Sequence, residues 1–242
     1  MPVNVGGHEI TKEMGDYYSR LSVAGNYVTD GLVLYLDAGV PASYSGSGTT
    51  WFDLSGNDNH GTLVNGPTYS SANGGSLDFD GSNDLVEVPH SLELELGSKD
   101  WTYGGWVQWT SSPTGPDNIF QKDDYEYGIW WDGSVVRPHF NPSGIIYYST
   151  FSYSFNINEW YYLIFTWRNS DENIQVYVNG SSVYNQTATD TAGGRALNNE
   201  PIRIGYDSDA SKKVSTYTCY DRLLSATEIT QNFNALRNRF GV

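Results

Sequence analysis

Apolar and polar positions alternate with a period of two along most of the chain, the pattern of strands that turn one face to a core. "GLVLYLDAG" (31–39) is a short apolar run closed by Asp37 and Gly39. "SLDFDGSNDLVEVP" alternates through Leu77 and Phe79, turns over 80–83 and resumes with Leu85, Val86 and Val88. "WTYGGWVQW" sets Trp101, Tyr103, Val107 and Trp109 on one face and Trp106 on the other. Such a strand is expected to be covered on both sides, with Gly104-Gly105 admitting a bend or a close backbone approach. "WYYLIFTW" (160–167) is continuously apolar, as a central strand is, and "PIRIGY" and "VSTYTCY" supply two more strands.

Turn residues punctuate these runs. Asp132-Gly133 separates two strand-like stretches in "YEYGIWWDGSVVRPHF", and Asn179-Gly180 in "NIQVYVNGSSVYN" suits the positive φ angles of a type I′ hairpin. The Asn-x-Ser/Thr triplets at Asn179 and Asn185 are read as turn chemistry of the same kind. The period changes to helical only near the C-terminus. There Ser225 and Glu228 have capping-box spacing, and Ile229, Phe233, Leu236 and Phe240 recur every three or four residues. This helix is expected to pack on the sandwich edge. The first 30 residues carry a weak helical pattern in Ile10, Met14, Tyr17 and Leu21, broken by Gly15. The expectation is an all-β, antiparallel two-sheet sandwich over 31–242 with a short C-terminal helix, preceded by residues 1–30 as an arm or, alternatively, as one more strand or covering segment of the same domain.

Composition narrows the function classes. The 242 residues are 38% hydrophobic but only 17% charged, with 19 Tyr, 8 Trp and 26 Gly, a β-rich globular balance. A net charge of −15 leaves no basic stripe for nucleic acid and disfavours an anionic membrane surface. No stretch reaches transmembrane length, and the first residues lack the basic-then-apolar order of a secretory signal. The one cysteine, Cys219, reads as a small buried strand residue.

Three kinds of chemistry merit residues. Oxygen-rich loops at "DLSGNDN" and "DFDGSND" make Asp53, Asn57, Asp80 and Asp84 candidate ligands for a structural Ca²⁺. The same Asx residues also build turns by bonding their own backbone, the simpler reading. Tyr125, Tyr127, Trp130, Trp131, Tyr147 and Tyr148 form the densest aromatic group outside the central strands and are the candidate ligand-binding residues. In an extended strand Tyr125, Tyr127 and Trp131 face one way and Trp130 the other, so one of the two tryptophans is expected at a concave surface. Glu93 and Glu95, two apart in "SLELELG", would share one face of a strand, as a glycosidase carboxylate pair requires.

"GLVLYLDAG", "WFDLSGNDNHGTLVNGP", "SLDFDGSNDLVEVP", "NEWYYLIFTW", "IQVYVNGSSV", "PIRIGY" and "YDRLLSATEI" follow the order of motifs in laminin-G-like jelly-roll domains of the concanavalin A-like lectin/glucanase superfamily. The chain resembles that family from about Gly31 to its end, and "YDRLLSATEITQNFNALRNRFG" resembles the form found in structural proteins of tailed, marine bacteriophages. The resemblance implies a two-sheet jelly roll and, in related domains, a calcium ion at a sandwich edge. An acid that sometimes supports that ion has no counterpart in "KKVSTYTCY", which carries Ser215 and Thr216. The Glu-x-Asp-x-x-Glu pattern of the catalytic members is also missing after Glu93, so no catalytic residue is assigned and no cofactor is required. The expected function is that of a non-enzymatic phage virion protein, a capsid decoration, fibre or tail-associated module. It would be made in the host cytoplasm, displayed in several copies on the particle surface and docked to other virion proteins through residues 1–30. The alternatives are an adhesin for host surface glycans and, behind it, a glycan-degrading enzyme.

Overall fold

A computed structural model describes residues 3–5, 8–10, 27–95, 97–122, 126–142, 144–193, 199–206 and 209–242. Two large antiparallel sheets face one another. One runs, in spatial order, Asp190–Gly193, Ile145–Tyr148, Val135–Phe140, Tyr127–Trp131, Asp117–Lys122, Ile202–Ile204, Leu85–Val88, Gly61–Val64 and Thr50–Trp51, with Phe151–Ser152 also paired to Val135–Phe140. The other runs Ser181–Thr187, Asn173–Val178, Tyr161–Arg168, Trp101–Trp109, Lys212–Val214, Ser76–Phe79 and Thr68–Ser70. Thr216–Tyr220 continues along Trp101–Trp109 and brings in Leu32–Asp37. A separate two-stranded antiparallel ribbon pairs Val3–Val5 with His8–Ile10. This is the expected β-sandwich.

The strand Trp101–Trp109 shows why the sheets stack as they do. Trp101, Tyr103, Val107 and Trp109 enter the core between the sheets, whereas Trp106 enters a second apolar layer on the opposite face. A Cβ on Gly105 would lie 1.9 Å from the Thr216 carbonyl oxygen, and one on Gly104 2.0 Å from that of Leu163. Only glycine lets the three backbones meet here. Cys219 is fully buried in the core, and burial pushes its thiol up to about 12.

The second layer is closed by the helix Ala226–Phe240. Ser225 accepts a hydrogen bond from the Glu228 amide while the Glu228 carboxylate accepts from the Ser225 amide, the predicted capping box. Phe240 stacks on Trp106 with ring centroids 4.0 Å apart. The expectation of edge packing is therefore corrected: the helix covers the outer face of the second sheet, because Trp106, Tyr162 and Tyr177 make that face apolar. Tyr27 and Val28, inside the segment assigned to the arm, are already buried in this layer. The Val28 amide donates to Asn232 Oδ1 at 2.8 Å and its carbonyl accepts from Tyr220 at 2.9 Å.

Two local expectations change. Leu92–Leu94 is a 3-10 turn rather than a strand, so Glu93 and Glu95 do not share a strand face, and Glu95 lies 3.4 Å from His90. Asn179 has the turn conformation, φ 50°, but Asn185 sits inside the strand Ser181–Thr187 and accepts from Asn173.

Candidate functional site: an aromatic cleft on the outer sheet face

Strand alternation decides which of the predicted aromatics can meet a ligand. In the hairpin of Tyr127–Trp131 and Val135–Phe140, Tyr127, Ile129, Trp131, Val136 and Phe140 point into the core. Tyr127 packs on Tyr103 and Trp101 and donates to the Leu94 carbonyl at 3.3 Å. Trp131 packs on Trp109 and donates from its indole to the Tyr153 carbonyl. Both are corrected from ligand candidates to core residues, since their rings are needed to fill the space between the sheets. Tyr147 leans on Trp167 at the core margin. Tyr125 lies outside the described residues.

Trp130 and Tyr148 face the other way. Register places Trp130 opposite Arg137, Gly128 opposite His139, His139 opposite Tyr148 and Ile146 opposite Ala192. Trp130, Arg137, His139, Ile146, Tyr148 and Ala192 thereby line one cleft of about 280 Å³. Trp130 and Tyr148 are half-buried and Arg137 is exposed. The guanidinium stands 5.6 Å from the Trp130 ring and 5.7 Å from the Tyr148 ring, within cation–π reach of both. Its Nε donates to Thr150 Oγ1 at 3.3 Å. The His139 ring is buried at the back, and desolvation, aided by the nearby Arg137 charge, drops its pKa to about 3. The imidazole is thus neutral at physiological pH. Gly128 makes room for it, because a Cβ there would come within 2.7 Å of His139 Cε1.

Arg137 and His139 were not among the residues predicted from sequence. A signal for them existed: once Asp132-Gly133 is read as a turn, the strand after it pairs back on the one before it. Trp130 then falls opposite Arg137.

The oxygen-rich loops behave differently. Asp53 Oδ1 accepts from the amides of Tyr35 and Ser55, and Oδ2 from the Ser55 hydroxyl and the Asn59 amide. Four donors occupy the lone pairs that a cation would need. Asn57 donates to the Val33 carbonyl and ties the loop to its neighbouring strand. Asp80 accepts from the Ser82 amide, and Asp84 accepts from the Asp80 amide, in a separate turn. Burial raises the Asp84 pKa. These residues form Asx turns that replace missing backbone partners, and no group of three or more His, Cys, Asp or Glu with metal-site geometry occurs among the described residues.

A sequence profile described as the concanavalin A-like lectin/glucanases superfamily matches residues 80–230. The chain belongs to that superfamily. No curated protein matches its sequence. Among solved structures, this lectin-like jelly roll is similar to the binding domain of Paraclostridial mosquitocidal protein 1, with a TM-score of 0.68 at 15% identity over 86% of this chain and 52% of that one. Botulinum neurotoxin type C, whose cell entry depends on interaction with two ganglioside molecules, matches with a TM-score of 0.64 at 16% identity and the same coverage, 86% and 52%. The binding domain of botulinum neurotoxin DC in complex with SialylT matches at 0.65 and 15%, again over 86% and 52%. At these identities the likeness is one of fold, and the jelly roll spans about half the length of the structures it matches.

Proposed function

We propose that this lectin-like domain binds glycans, without turnover, in the cleft between Trp130 and Tyr148. The observation that carries the reading is a pair of outward aromatic rings flanking an exposed guanidinium on a sheet whose other aromatics are packed inward. Aromatic faces stack on the C–H faces of pyranose rings, and a few fixed polar groups then set orientation. The volume of about 280 Å³ lies near the lower end of ligand sites, roughly 300–1,000 Å³, and suits one or two sugar rings. The dependence of botulinum neurotoxin type C on gangliosides, on a related fold, supports the choice of glycan over other small ligands. The test is glycan-array binding by the wild type and by Trp130→Ala. Signal that disappears with the indole, at unchanged thermal stability, is the expected result; equal binding by both proteins would remove the cleft from the account.

Display on a phage particle is a second reading, supported by Val3–Val5 and His8–Ile10 pairing with each other rather than with either large sheet. The phage-like C-terminal stretch and the −15 charge also support it. On this reading the ribbon segment docks to other virion proteins and repeated copies present the cleft to host surface glycans. Mass spectrometry of purified particles is expected to find the chain, and its absence there would end the reading. Polysaccharide cleavage is not expected, since of the one glutamate pair considered, Glu93 lies in a 3-10 turn and Glu95 just after it, off any strand.

A further inference from the structure

We propose that the cleft selects acidic glycans, sugars that carry a carboxylate, and that Arg137 is the residue that reads the charge. The inference rests on the glycan-binding reading above and concerns the same site. Among the described residues, four other arginines are paired with carboxylates, Arg168 with Asp171, Arg203 with Glu87, Arg222 with Glu228 and Arg239 with Asp37, while Arg237 and Lys99 lie over the Phe233 and Trp101 rings on other surfaces. Arg137 has no carboxylate partner among the described residues, although the chain holds 28 acidic residues against 13 basic ones. Asp132 borders a neighbouring groove together with Arg137, but its Oδ1 is held by the amides of Ser134 and Val135 and by the Ser134 hydroxyl.

The guanidinium is also oriented for the task. Two rings stand within cation–π reach and Thr150 accepts from its Nε, so the terminal N–H donors remain for a ligand. That edge matches a carboxylate with two parallel hydrogen bonds, a geometry lysine cannot reproduce. His139 adds no competing charge, because its buried ring stays neutral. The overall negative charge does not defeat the contact: at physiological salt, fields fade over about 8 Å, so a bound carboxylate responds to the adjacent guanidinium more than to distant acids. Ile146 and Ala192 supply an apolar floor for the ring that carries the carboxylate.

Calorimetric titration tests this with four probes: sialyllactose, a galacturonate oligosaccharide, and the carboxyl-reduced form of each. At least one acidic probe should bind about tenfold or more tightly than its reduced form, the value of one charge-assisted contact. Arg137→Gln should bring the two forms within about twofold, the acidic form losing more affinity than its reduced counterpart, and Arg137→Lys should restore only part of the preference. Equal binding of acidic and reduced forms by the wild type would overturn the inference and leave the glycan reading intact. A preference that survives Arg137→Gln would overturn the assignment to Arg137. If no glycan binds, neutral or acidic, on the array or in the calorimeter, the reading beneath the inference falls with it.

Discussion

Gly128 and His139 are a matched pair: the ring stands where a side chain on the glycine would be. Gly128→Ala should push the imidazole forward into the cleft. The expected cost is about 1–3 kcal/mol of stability from overpacking, read by urea unfolding, together with weaker glycan binding. His139 also makes a pH prediction. Its folded pKa is lowered to about 3, so the native ring stays neutral while the unfolded ring takes a proton below its ordinary 6.5. The unfolded state therefore binds more protons in that window, and stability falls as pH falls. From pH 6.5, where half of the unfolded rings are charged, to pH 5, with a slope approaching about 1.36 kcal/mol per unit, the loss is about 1.6 kcal/mol. Urea unfolding at the two pH values should show this loss in the wild type and much less of it in His139→Asn. Parallel losses in both proteins would mean that the ring is charged in the folded state.

At the level of elements, the helix and the Gly104-Gly105 contact are the sensitive points. Ser225→Ala removes half of the capping box and should cost about 1 kcal/mol without altering the sheets. Gly105→Ala places a methyl 1.9 Å from the Thr216 carbonyl oxygen and should prevent the strand pairing, seen as loss of soluble, folded protein. What was legible in the sequence was what short-range physics dictates. The period-2 runs, the Asn179-Gly180 hairpin, the capping box and the two faces of Trp101–Trp109 are all where their residues place them. The position of the helix was not legible, because edge or face depends on which distant aromatics, Trp106 and Tyr162 among them, remain to be covered. The candidate site was half legible. Trp130 and Tyr148 were singled out, but their separation from Tyr127 and Trp131 and their union with Arg137 and His139 depend on cross-strand register.

The molecule as a whole is three layers, two sheets and a helix, and one buried ion pair ties the sheets together. Lys212, on one sheet, lies 2.7 Å from Asp117 on the other, and the Trp109 indole donates to the second Asp117 oxygen at 3.0 Å. Both charged side chains are fully buried, and burial holds the Lys212 pKa below the ordinary lysine range. Lys212→Met strands the carboxylate and should cost about 3–5 kcal/mol, whereas adding Asp117→Leu should recover much of that loss. Thermal unfolding of the single and double variants checks the order. On the reading proposed above, the outer face of the Trp130 sheet is where the protein meets a ligand. The most direct test is an amide and indole chemical-shift map during titration with a glycan taken from the array. The account predicts that the Trp130 indole and the amides of Arg137, His139 and Tyr148 move together while the core indoles of Trp109 and Trp131 stay still. Shifts centred on the helix face or on the Asp53 loop, with Trp130 unmoved, would contradict it.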